Sequence, residues 1–214
     1  MKVNDFPIQI NQFMTHRSSN VHRYASWDFC YEYFYHSQGN LDGKELQTSC
    51  MQLWSYLASW GMIVRGNALQ QKSYAYLIDV VKYINVHQQC YQVHLDDINY
   101  IDKMLALYDE LDKALNLQSQ KNKKTLITKI MLGVYGCCPA FDSRFCTTFG
   151  LSTTGRLTRN NLIEVQEFYF DNLNDINNEN IQTLSFGKSC NGHLKYPAAK
   201  LIDMYGFTRN RIIS

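Results

Sequence analysis

Apolar residues recur at three- and four-residue steps along most of this chain, and no run alternates with a period of two. That spacing puts apolar side chains on one face of an α-helix. Residues 1–20 read as irregular. Ser19 or Asn20 can cap a helix over 21–37, with Tyr24, Trp27, Tyr31 and Phe34 on one face. Asp42 opens a second helix to about Val64, and Arg65-Gly66 can stop it. Leu69, Tyr76, Val80 and Ile84 carry a third. Asp96 or Asp97 caps a fourth, with Ile98, Ile101, Leu105, Tyr108, Leu111 and Leu115 on its stripe. A fifth spans roughly 122–135, Asp142 starts a short sixth, and Thr158 caps a seventh. The Asn-rich LNDINNENI reads as a loop. Pro197 suits the first turn of a last helix. The expected fold is all-α, about eight helices in two lobes around a cleft. It forms one unit over 1–214, with possible sublobes 38–135 and 1–37 plus 136–214.

Composition agrees with this and narrows the chemistry. A chain of 214 residues, 45% hydrophobic, can bury about 70% of its unfolded surface and needs neither metal nor disulfide to fold. Only 3 Pro and 11 Gly favour long regular elements. The 7 Cys contain no C-x-x-C pair, and no zinc or iron–sulfur spacing is present. They read as reduced thiols, and no cofactor is expected. The N-terminal stretch lacks the apolar core of a signal peptide, and no run reaches membrane-spanning length. The expectation is a soluble, cytoplasmic monomer.

Charge is unevenly placed. Residues 1–118 hold 9 Lys and Arg against 12 Asp and Glu, whereas residues 119–214 hold 12 against 7. The basic half suggests a polyanionic partner. Within it, KNKKTLITKIMLGVYGCCPAFDSRFCTTF joins a lysine cluster, a Gly- and Pro-containing break and one isolated acid. Lys121, Lys123 and Lys124 stand at the positive end of a predicted helix, where cations are disfavoured by about 0.3–1 kcal/mol each. Bound phosphate would resolve that conflict. Asp142 stands where a helix N-cap belongs.

This segment resembles the helix-hairpin-helix DNA glycosylases. In that superfamily a hairpin ends in Lys-Thr-Ala and runs into an apolar helix, and a turn then leads to Val-Asp-Thr-His-Val. Lys124-Thr125-Leu126 matches the first element and Phe141-Asp142-Ser143-Arg144-Phe145 the last. The 18-residue step from Lys124 to Asp142 matches the lyase-type members, and Pro139 to Arg144 looks like the oxoguanine-type branch. The hairpin SQKNKK carries neither family glycine. Asn122 is its one residue suited to a left-handed backbone. Arg144 replaces the histidine after the acid. SWDFCY near residue 27, LASWGM near residue 60 and YPAAKLIDMY look like blocks of a bacterial family, with no role derived from them.

The resemblance implies that Asp142 stabilises an oxocarbenium-like sugar as an N-glycosidic bond breaks. The base must first leave the stack of double-stranded DNA. Lys124 matches the Schiff-base lysine of bifunctional members. Attack needs a neutral amine, which Lys121 and Lys123 would favour, but a phosphate contact is an equal alternative. A monofunctional hydrolase is favoured. Lys121, Lys123, Asn122 and Arg144 would face DNA. Trp27, Trp60 and Tyr135 are base-pocket candidates that suit a core as well, and Arg65 either lines the pocket or ends a helix. The base could be oxidised, alkylated, deaminated or a modified phage base. The alternative is a non-catalytic helical module that binds nucleic acid or protein.

Overall fold

The structure, a computed structural model, describes residues 1–17, 21–37, 43–64, 66–117, 122–186 and 191–209, without the side chains of 191–193. The expected caps Ser19, Asn20 and Asp42, and the site candidates Arg65 and Lys121, lie outside the described residues.

The protein is all-α, with ten α-helices among the described residues. They are α1 (Phe6–Arg17), α2 (Ser26–His36), α3 (Lys44–Ser59), α4 (Ile78–Val86) and α5 (Tyr100–Leu115). There follow α6 (Lys123–Ile130), α7 (Ser143–Thr148), α8 (Arg159–Asp171), α9 (Leu173–Asn178) and α10 (Ala198–Thr208). Among the described residues no helix is long and apolar enough to cross a membrane.

Five expectations need correction. The fourth predicted helix, α5, has Asn99 at its N-cap rather than Asp96 or Asp97, and Ile98 is exposed ahead of it rather than on its buried stripe. Residues 6–17 are helical, because Phe6, Ile10, Phe13 and Arg17 form one buried face at steps of four, three and four. Arg17 hid the pattern: it is buried, with its guanidinium donating to both oxygens of Asp28. The helix α3 stops at Ser59 rather than Val64, and Gly61 just beyond has φ +78. The Asn-rich stretch forms α9, seated by buried Ile176. Residues β1 (Gln182–Leu184) and β2 (Asn191–Lys195) pair antiparallel, a ladder too short to betray a period of two. The hairpin is fastened to α2 where the Leu184 N–H and the Tyr196 hydroxyl both donate to Asp28.

Two features shape the centre. The helix α6 widens into a π-turn over Met131–Tyr135. The Leu132 carbonyl there accepts from Trp27 Nε1 at 2.9 Å and from the Gly136 N–H at 3.1 Å. Gly136 takes φ +64, and a Cβ on it would lie 2.6 Å from Pro197. Glycine therefore ends the turn and admits the start of α10. The helix α10, almost wholly buried, packs against α1, α7, α8 and α9. A Cβ on Gly206 would lie 2.4 Å from Phe145, so glycine sets how closely α7 approaches α10.

Candidate functional site

Asp142 is placed by ties on the two residues before it. The Phe141 N–H donates to Thr128 Oγ1 at 2.9 Å, and Thr125 Oγ1 donates to the Phe141 carbonyl at 2.9 Å. The Ala140 N–H donates to Asp203 Oδ1 at 3.1 Å. The chain is thus clamped between α6 and α10 as it enters α7. Asp142 then caps α7, accepting from the Phe145 N–H at 3.0 Å. Its other oxygen stands 3.4 Å from Lys129 Nζ. The cap was legible from sequence; the clamp needs three elements distant in the chain.

Asp142 borders a cleft of about 600 Å³. The cleft brings together most of the residues singled out by sequence: Trp60, Asn122, Lys123, Lys124, Asp142 and Arg144. It adds Arg23, Lys129 and Phe207, which the sequence pattern did not mark. Among its described lining residues Asp142 is the one carboxylate, against five Lys and Arg.

The two described lysines of the cluster do not wait for phosphate. Lys123 is buried and pairs with Asp112 at 2.5 Å. Lys124 is 2% exposed, and its ammonium donates to the carbonyls of Ser152 and Thr154 at 2.5 and 3.2 Å. Burial pushes the Lys124 amine below its ordinary pKa, with Cys146 opposing. The main cause is desolvation. The cost of cations at the start of α6 is met inside the protein. Asn122 does adopt the left-handed conformation, at φ 57, and its side-chain amide donates to Asn67.

The rim cations differ. Arg23 and Arg144 are exposed, and neither has a carboxylate partner among the described residues. Arg144 lies over the Phe207 ring at 4.6 Å, and Arg23 over Trp60 at 5.5 Å.

The base-pocket candidates separate. Trp60 is on the cleft, stacked on Tyr24 with centroids 5.5 Å apart, and its buried indole N–H has no hydrogen-bond partner among the described residues. Trp27 is fully buried in the core, stacked on Tyr31, and is not on the cleft. Tyr135 is also off the cleft. It lines a separate cavity of about 230 Å³ with Tyr91 and Cys137. Both indoles are amphipathic, and only the helix-end position of Trp60 brings it to a surface. Cys146, four residues after Asp142, is buried, its thiol pushed up by that burial. No histidine lines the cleft among the described residues, and none of their His, Cys, Asp and Glu groups could hold a metal ion.

Beneath the cleft lies a second ion pair. Lys200 Nζ is 3.0 Å from Asp203 Oδ2, with side chains 1% and 10% exposed. The Lys200 ammonium also faces the rings of Phe13, Trp27 and Trp60 at 4.8, 5.2 and 5.7 Å. The blocks around residues 27, 60 and 200 therefore meet at one ammonium. Tyr56 completes this floor. Its phenol is held well above the usual range by burial first, then by Cys30, Asp203 and Asp142. Comparison with known proteins returns no match to a family model, to a curated sequence or to a solved structure.

Proposed function

We propose that this protein is a DNA glycosylase-type enzyme. In this reading it hydrolyses the N-glycosidic bond of a base flipped out of double-stranded DNA. One observation carries the reading: Asp142, the one carboxylate among the described lining residues, is fixed at the wall of a cleft whose rim presents the guanidinium groups of Arg23 and Arg144, which have no carboxylate partner among the described residues. Such a rim suits phosphates, and arginine forks bind them bidentately. A cleft of about 600 Å³ has the size of small-ligand sites. It would take an extruded nucleoside, and the helices on its two sides would act as lobes.

Breaking the bond from C1′ to the base builds positive charge on the sugar. A carboxylate held in place before the reaction stabilises that charge without reorganising. The N-cap bond to Phe145 and the contact with Lys129 hold Asp142 in that role. The occupied ammonium of Lys124 favours direct attack by water over a Schiff base.

The test is incubation of the full chain with duplexes carrying oxidised, alkylated, deaminated or phage-type modified bases, followed by detection of abasic sites. Asp142→Asn keeps the cap, and its rate is expected to fall roughly 10²–10³-fold. Borohydride is expected to trap no covalent adduct with the wild-type chain. Unchanged excision by Asp142→Asn refutes the assigned role. Tight DNA binding without abasic sites on any substrate identifies a binding module instead.

A further inference from the structure

Four lysines are buried among the described residues: Lys123, Lys124, Lys129 and Lys200. An ammonium removed from water needs partners for its three donors. Lys123 has Asp112 at 2.5 Å, Lys124 has two carbonyls, and Lys200 has Asp203 at 3.0 Å. Lys129 is different. Among the described residues its one hydrogen-bond partner is Asp142 Oδ2 at 3.4 Å, longer than the usual N–H···O range of roughly 2.7–3.2 Å. Its other neighbour is the face of Trp60, at 4.9 Å from the centroid. Lys129 also lines the cleft. It is a desolvated cation with donors to spare, beside the carboxylate and facing open space.

We propose that Lys129 is the general acid that protonates the departing base, so that the cleft takes bases with an acceptor atom next to the glycosidic nitrogen: O2 of a pyrimidine or N3 of a purine. This rests on the glycosidic-bond reading of the same cleft. The short separation of Lys129 from Asp142 sets the acceptor. A carboxylate that faces C1′ leaves a donor 3.4 Å away within reach of the base atoms nearest C1′. In a nucleoside those atoms are O2 and N3; O4 and O6 lie on the far side of the base.

The step balances. Water oxygen bonds to C1′ as the C1′–N bond breaks, and the bonding pair passes to the base. Lys129 gives its proton to O2 or N3. The proton lost by water goes to Asp142, which returns it to the neutral amine of Lys129. The products are the free base and an abasic site, and both side chains end as they began.

The experiment measures single-turnover excision by the full chain on a duplex with an accepted base and on the same duplex with an acceptor-poor isostere. The isostere is 3-deazapurine for a purine or 2-thiopyrimidine for a pyrimidine. Lys129→Met is expected to slow excision of the parent base about 100-fold and of the isostere by less than about 3-fold. Lys129→Arg keeps the charge and cannot release its proton, so it is expected to be nearly as slow as Lys129→Met. Equal losses on both substrates, or wild-type rates in Lys129→Arg, overturn the inference and leave the role of Asp142 standing. If the wild-type chain makes no abasic site on any substrate, both fall. If Lys129→Met does not fold, as read by circular dichroism, Lys129→Arg alone decides.

Discussion

Replacing Asp203 with Asn tests whether the floor of the cleft is held by charge. Lys200 is 1% side-chain exposed, and Asp203 is its one charged partner among the described residues. Removing one member of a buried pair costs about 3–5 kcal/mol, because the other charge is stranded. Asn keeps one of the two hydrogen bonds: its single carbonyl oxygen can accept from the Ala140 N–H or from Lys200. The expected loss for Asp203→Asn is therefore at or just below the lower end of that range, about 2–3 kcal/mol. For a chain of this length that lowers Tm by about 5–10 °C. Asp203→Ala also orphans the Ala140 N–H, and its expected loss is about 4 kcal/mol or more. Lys200→Met combined with Asp203→Asn removes the stranded charge and is expected to recover at least about 1 kcal/mol over Asp203→Asn alone. Urea denaturation followed by circular dichroism gives the full double-mutant cycle. An Asp203→Asn protein within about 0.5 kcal/mol of wild type refutes the reasoning, as do strictly additive single substitutions.

Three further perturbations follow from the same geometry. Gly133→Ala places a Cβ 2.3 Å from the Tyr56 ring, and overpacking of this kind is expected to cost about 1–3 kcal/mol in a urea melt; an unchanged midpoint would show that the π-turn yields freely. Lys124→Met frees the Ser152 and Thr154 carbonyls, so limited proteolysis is expected to cut within 151–157 faster than in wild type, and equal cleavage rates would refute that anchoring role. Alkaline pH is expected to destabilise the fold. Burial holds the thiols of Cys30 and Cys137 and the phenols of Tyr56, Tyr100 and Tyr196 well above their ordinary values, while Tyr83 and Tyr108 are pushed up to about 12. Such groups bind more protons folded than unfolded, so their contribution is complete below the unfolded pKa and falls as pH rises through it. Urea midpoints are expected to decline from about pH 9 upward, and a midpoint that rose between pH 9 and 10.5 would contradict the assignment.

The type and order of the helices other than α1 and α9 were legible because local periodicity determines them. Thr158 is the clearest case. Its hydroxyl accepts from the Asn161 N–H and Asn161 answers to the Thr158 N–H, a reciprocal cap written within four residues. What failed was non-local. Arg17 sits on the buried face of α1 because Asp28, on another helix, neutralises it. Trp27 and Trp60 carry the same chemistry in sequence. Trp27 is sunk in the core with its indole N–H donating to the Leu132 carbonyl, a partner 105 residues away that no local pattern announces.

The buried charges of the site carried a signal of their own. Lys200 and Asp203 stand three residues apart on α10, a spacing that ordinarily marks a solvated surface pair worth a few tenths of a kcal/mol. Yet the residues around them, in AAKLIDMYGF, are apolar on every side of the helix. A helix apolar all round is buried, and a buried helix cannot keep an unpaired charge. The pattern alone thus requires that Lys200 and Asp203 meet each other inside the protein. The same test applied to LITKIMLGVY isolates Lys129 as a cation with no acid on its own helix. Its carboxylate has to arrive from elsewhere, and Asp142 follows after the break that ends the helix. The pairing of Lys129 with Asp142, rather than the 18-residue step from Lys124, is the relation that the fold enforces at the cleft.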